Sequence, residues 1–155
     1  MSPKTAENLT ALVAGWVARQ PDLLGLALAG SWARGNARPE SDLDLVILTT
    51  DQDRYRRDAA WLGTLGLEDA FYRIVSRTAA QYGVVWSWHL QLEPDATLEL
   101  AFAGPGWASI NPVEAGTRRV VEDGFKILVD KDGRLGALLD ALDAARPAER
   151  PPNAD

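Results

Sequence analysis

The sequence predicts an α/β domain of the α+β kind, and three observations carry that prediction. A helical repeat of apolar residues fills the first twenty positions, two short apolar runs follow it, and "VVWSWHLQLEPDATLELAFA" alternates as a β-hairpin. The order of helix, two strands, helix, hairpin, strand and helix is not the regular alternation of a doubly wound parallel sheet. At 155 residues the chain is most simply one domain around one core. We assign it to residues 1–146, with a proline-rich, polar tail at 147–155 that is expected to be disordered.

Each element has a local reason. From Pro3 to Gln20, Leu9, Leu12, Val13, Trp16 and Val17 recur at helical spacing, with Ser2 as N-cap, Pro3 in the first turn and Pro21 as the stop. "LLGLALAG" is a short apolar run closed by glycine, a buried strand. "DLDLVILTT", Asp42 to Thr50, is a strand with β-branched residues at its far end. "DQDRYRRDAAWLGTLG" reads as one helix capped by Asp51, its arginines forming a solvated face. Phe71 to Arg77 fits a strand or a short helix, and its shortness between Gly66 and Gly83 favours the strand.

In the hairpin, Trp86, Trp88, Leu90 and Leu92 share one face, which places both tryptophans in the core, while Ser87, His89, Gln91 and Glu93 share the other. Leu98, Leu100 and Phe102 of the second arm are apolar-side residues, leaving Glu99 opposite, and a turn at Pro94 to Ala96 brings Glu99 near Gln91. "GPGWASINP" is a loop, "VEAGTRRVVEDG" a short helix, "FKILVD" a strand and "RLGALLDALDAA" the last amphipathic helix.

Composition removes several function classes. Hydrophobic residues are 46% and charged residues 25%, ordinary globular values, and the net charge of −6 lacks the basic footprint that polymeric nucleic acid requires. There is no cysteine and one histidine, which excludes disulfides, thiolate metal sites and a multi-histidine zinc site. No apolar run is long enough to cross a bilayer and the N-terminus has no signal-like pattern, so no membrane partner and a cytoplasmic location are expected.

The chemistry concentrates at "GSWARGNARPESDLDLVIL". Asp42 and Asp44, two apart on a strand, project from one face with Cα atoms roughly 6.5 Å apart. Two ionised carboxylates there repel each other, and a divalent cation between them relieves the repulsion. Glu99, on a neighbouring strand, is the candidate third carboxylate for a site of two Mg²⁺, with Glu93 as its substitute. Two such ions suit phosphoryl and nucleotidyl transfer. Upstream, Gly30 permits close backbone approach to a phosphate, Ser31 offers a hydroxyl and an N–H, a helical turn starting there directs its positive end at a triphosphate, and Arg34 adds a cation. His89, Trp32, Trp107, Arg73 and Arg77 are secondary candidates; surface or core roles explain them as well.

"GSWARGNARPESDLDLVI" closely resembles the G-S-x-A-R-G-x(n)-S-D-x-D-L signature of the nucleotidyltransferases related to DNA polymerase β, especially the small stand-alone bacterial members and the aminoglycoside nucleotidyltransferases. The match spans Gly30 to Leu48, and weaker likeness continues through Glu99 and through "PGWA" to "DGFKILVD". The resemblance implies a mixed, mostly antiparallel sheet of about five strands flanked by helices. It implies Gly30 and Ser31 on the β and γ phosphates, Asp42 and Asp44 on both Mg²⁺ ions (Mn²⁺ being the alternative metal), and Glu99 on the nucleophile-side ion as base. Arg34 steadies phosphate or the loop. The implied reaction moves a nucleoside monophosphate, AMP from ATP or the equivalent from another NTP, to a hydroxyl of a small molecule or protein. Only one helix and a tail follow the core, so a homodimer partner completes the acceptor pocket or the acceptor is a protein, as in the minimal nucleotidyltransferases that act as antitoxins on a toxin partner. The rival reading is a nucleotide-binding or interaction module with the same fold and no catalysis.

Overall fold

The computed structural model describes residues 1–145, and the tail expected at 147–155 lies outside them. The chain opens with α1 (Pro3–Arg19), where Ser2 accepts the Thr5 N–H and Pro3 stands at the first turn. There follow β1 (Leu23–Ala29), α2 (Gly30–Arg34), β2 (Leu43–Thr49) and α3 (Gln52–Arg57), then β3 (Arg73–Tyr82), β4 (Val85–Glu93) and β5 (Ala96–Ala103). The last elements are α4 (Ala115–Glu122), β6 (Phe125–Asp130) and α5 (Arg134–Ala145). The sheet is mixed and mostly antiparallel. It has six strands rather than about five, in the order β3-β4-β5-β2-β1-β6, and β2 with β5 is its parallel pair.

The strands β1 and β2 are covered on both faces, which is why β2 reads as a nearly unbroken apolar run. Leu43, Leu45 and Ile47 join Leu9, Val13 and Trp16 of α1, with Leu100 and Phe102 of β5, in the main core. Trp16, Tyr55, Trp61 and Phe102 form an aromatic cluster within it, and stacked and edge-to-face pairs of this kind add about 0.5–1.5 kcal/mol each. The alternate residues Val46 and Leu48, with Ala27, Ala29 and Ala103, meet Trp107, Leu135, Leu138 and Leu142 in a second core. Asp44 and Glu99 belong to this second face by strand alternation.

Four local expectations need correction. The single helix expected after Asp51 stops at Arg57; Asp58 accepts the Ala60 N–H, and a 3-10 helix (Ala60–Thr64) follows, which turns Trp61 and Leu62 inward. The strand expected at Phe71 to Arg77 runs from Arg73 to Tyr82 because β4 pairs with its whole length. The hairpin register is two residues away from the expected one: Leu92 pairs with Ala96, so His89, not Gln91, stands opposite Glu99. Trp88 packs against the main core and donates to the Tyr55 carbonyl at 2.7 Å, whereas Trp86 stays half-buried beneath the Arg56 guanidinium and outside both cores. No helix of the described residues is long and apolar enough to cross a membrane.

Candidate active site

The site is built where the end of β1, the start of β2, the middle of β5 and a short helix meet. β1 ends at Ala29, the register partner of Asp44 on β2, and Gly30 begins α2 directly beyond it. Across the parallel pair, Asp44 stands in register with Glu99 on β5, and His89 on β4 stands opposite Glu99. Adjacent strands lie about 4.8 Å apart, so the two carboxyl groups are forced into contact. Asp42 sits one step before β2, exposed, and its charge is still felt at Asp44.

Burial pushes the Asp44 carboxyl up from its ordinary 3.8 to about 8, reinforced by its hydrogen bond with Glu99 and by the negative charges of Glu99 and Asp42; His89 pulls the other way. A carboxyl hydrogen-bonded to a carboxylate requires one shared proton. His89 Nε2 lies 3.5 Å from Glu99 Oε1, and no Lys or Arg pairs with either acid among the described residues.

Gly30 is fitted to this carboxyl. It adopts φ +68°, and a Cβ on it would fall 2.6 Å from Asp44 Oδ2. The all-oxygen donor set, short of neutralising cations and wrapped by backbone that tolerates no side chain, suits a hard divalent ion. As the side chains stand, however, no three His, Cys, Asp or Glu residues among those described form a group able to hold a metal.

The remaining expected residues divide. Ser31 lies in the first turn of α2 beside Gly30. Arg34, at the other end of that helix, is fastened elsewhere: its Nη1 donates to the Asp123 carbonyl at 2.6 Å and pairs with the Asp123 carboxylate at 2.9 Å. Glu93 pairs with Arg73 at 2.6 Å at the far end of β4. Trp32 packs against the main core and Trp107 is buried in the second.

An open cleft of about 1190 Å³ runs from Gly30, Asp44 and Glu99 past Ala101 and Ser87 to Tyr82 and Val84, with Trp107, Thr117 and Arg119 also lining it. Sequence reading gave no role to Ser87, Gln52 or Arg119 here. The alternation along β4 already set Ser87 on the face of His89, but its place in the cleft depends on the packing of α4 and of the 3-10 helix Pro105–Ala108.

Among solved structures the chain is similar to an aminoglycoside 6-adenyltransferase from Bacillus subtilis at 13% identity and a TM-score of 0.50, covering 66% of this chain and 36% of that one. It is also similar to a nucleotidyltransferase-like protein from Exiguobacterium sibiricum 255-15 at 15% identity and a TM-score of 0.46, covering 90% of this chain and 38% of that one. The chain therefore spans little more than a third of either protein, and at 13% identity the likeness to the adenyltransferase is one of fold. No curated protein matches it significantly. Residues 14–106, more than half of the chain and the stretch that holds Gly30, Asp42, Asp44 and Glu99, match the family model described as a nucleotidyltransferase domain, and the chain belongs to that family.

Proposed function

We propose that the chain transfers AMP from ATP to a hydroxyl of a small molecule or protein and releases pyrophosphate. The observation that carries this reading is the register of Asp44 with Glu99 beneath Gly30, which sets two carboxyl groups side by side where α2 begins. Asp42, Asp44 and Glu99 would hold Mg²⁺, which when bound lowers the pKa of the attacking hydroxyl and neutralises charge on the leaving pyrophosphate.

The chain's own groups have separable tasks. Glu99 accepts the acceptor hydroxyl's proton, the acceptor oxygen bonds to the α-phosphorus, and the bond from that phosphorus to the bridging oxygen of pyrophosphate breaks. Gly30 and Ser31 contact the β and γ phosphates. Arg34 steadies the loop rather than the nucleotide, which its pairing with Asp123 supports. The aminoglycoside 6-adenyltransferase likeness makes a polyhydroxylated small molecule one acceptor class to try; a protein acceptor, a homodimer partner and a cytoplasmic setting belong to the same reading.

Incubation with α-labelled ATP, Mg²⁺ and candidate acceptors, followed by mass measurement of the labelled product, tests it. A product heavier by one adenylyl group, absent with Asp44→Asn, is expected; no labelled product from any acceptor class counts against it. The reading to be told apart from this one is a nucleotide-binding module without catalysis. That reading requires ATP binding that neither Mg²⁺ nor Asp44→Asn alters.

A further inference from the structure

Three buried side-chain polar atoms lack a hydrogen-bond partner among the described residues: Trp32 Nε1, Trp86 Nε1 and Ser87 Oγ. Of these residues only Ser87 lines the cleft. It is 1% exposed, in the middle of β4, with Ala80 beside it on β3 and Ala101 beside it on β5. Neither paired neighbour carries a polar side chain, and leaving a buried hydroxyl unpaired costs about 1–3 kcal/mol. Alanine would fill the same space without that penalty. A serine here points to a partner that arrives with a ligand.

The chemistry of the proposed reaction says which ligand. Attacking and leaving oxygens lie roughly in line through the α-phosphorus. If the β and γ phosphates lie at Gly30 and Ser31 and the α-phosphate at Asp44 and Glu99, the acceptor occupies the far end of that line, and the nucleoside leaves the line sideways. The cleft runs sideways from the acids along the strands, over Val46 and Ala101 to Val84 and Val85, with Trp107 also lining it. That stretch is apolar and bordered by small side chains, the kind of surface against which a flat base packs. Gln52 fixes its end: the Nε2 group donates to the carbonyls of Val84 at 2.8 Å and Phe102 at 2.7 Å, tying the start of β4 to the end of β5.

We propose that the Ser87 hydroxyl hydrogen-bonds the edge of the nucleotide's base, making it a specificity-determining residue of the cleft. This rests on the transferase reading above, and the experiment separates the two. Binding of ATP, CTP, GTP, UTP and inorganic tripolyphosphate to the full chain with Mg²⁺ is measured by calorimetry for the wild type and Ser87→Ala. One lost hydrogen bond lowers affinity for the preferred nucleotide about 5- to 10-fold, narrows the spread among the four nucleotides and leaves tripolyphosphate unchanged. Melting of the ligand-free variant is expected to match or exceed the wild type, since an unpartnered hydroxyl has been removed; a serine needed for packing would give the reverse. Wild type that binds nucleotides and tripolyphosphate, with Ser87→Ala indifferent or weakening all five equally, overturns the base contact and leaves the transferase reading standing. Wild type that binds none of them overturns both.

Discussion

At Gly30 two constraints coincide, a left-handed backbone and a carboxylate oxygen where a side chain would be. Gly35, which closes α2, has φ +78° with nothing within 4 Å of the position of a Cβ. The pair therefore separates backbone strain from contact. Each alanine carries the roughly 1–2 kcal/mol of a left-handed L-residue, but only Gly30→Ala drives a methyl group to 2.6 Å from Asp44 Oδ2. Gly35→Ala should lower the melting temperature by a few degrees (about 2–4 °C per kcal/mol) with transfer activity kept. Gly30→Ala should lose on the order of 100-fold in kcat/KM, as displacement of a reacting group by about 1 Å does. Equal activity in the two variants would mean that the Asp44 position is not critical. The nearness of Gly30 to Asp44 was legible in the sequence because it is local, a turn set against the adjoining strand, whereas Asp42 lies just before β2 rather than in the strand expected to carry it. Ser87 was not legible, because its isolation is a property of Ala80 and Ala101 on two other strands.

At the scale of elements, α2 is five residues long, too short to hold itself together. It is held from the α4–β6 turn: Gly30 N–H donates to the Gly124 carbonyl at 3.2 Å, and Arg34 grips Asp123 through carbonyl and carboxylate. The Arg34–Asp123 ion pair is largely exposed and worth about 0–1 kcal/mol, so Asp123→Asn, which keeps the carbonyl contact, should change Mg²⁺-dependent ATP binding by no more than about five-fold. Gly124 is different. Its φ is +125°, and a Cβ would lie 2.6 Å from Arg34 Cγ and 2.9 Å from the Gly30 carbonyl oxygen. Gly124→Ala must move α2, and a tenfold or greater weakening of ATP binding (about 1.4 kcal/mol) is expected by calorimetry; unchanged binding would detach this turn from the site. The same scale marks the limits of sequence reading. Alternation gave the faces of β4 and β5 correctly, yet the turn at Glu93 to Asp95 set a register that moved His89, rather than Gln91, opposite Glu99. The break at Asp58 escaped the helical pattern because its cause is the inward turn of Trp61, a tertiary demand.

For the whole molecule, Asp44 and Glu99 are carboxyl groups set among largely buried strands, and folding must bring them together. The unfolded chain releases the Asp44 proton near pH 4, whereas the folded protein keeps it up to about 8, held by burial and by the adjoining carboxylates. A raised folded-state value means that the folded form binds the extra proton between these limits. Its stabilising effect is complete below about pH 4 and is lost as pH rises through about 8. With chelator present, the melting temperature should therefore decline from about pH 5 to about pH 8 more steeply than in Asp44→Asn, which has no such proton to lose. At about pH 8 the variant should melt higher than the wild type. Mg²⁺ at that pH should reverse the order, raising the wild type by binding the folded form alone and leaving Asp44→Asn nearly unmoved. Carboxylates remote from this cluster cancel between the two proteins, so the difference between the two curves reports the coupled Asp44–Glu99 pair. Parallel curves in chelator would mean that Asp44 is ionised in the folded protein across the range. An Mg²⁺ response equal in both would place any bound ion away from Asp44.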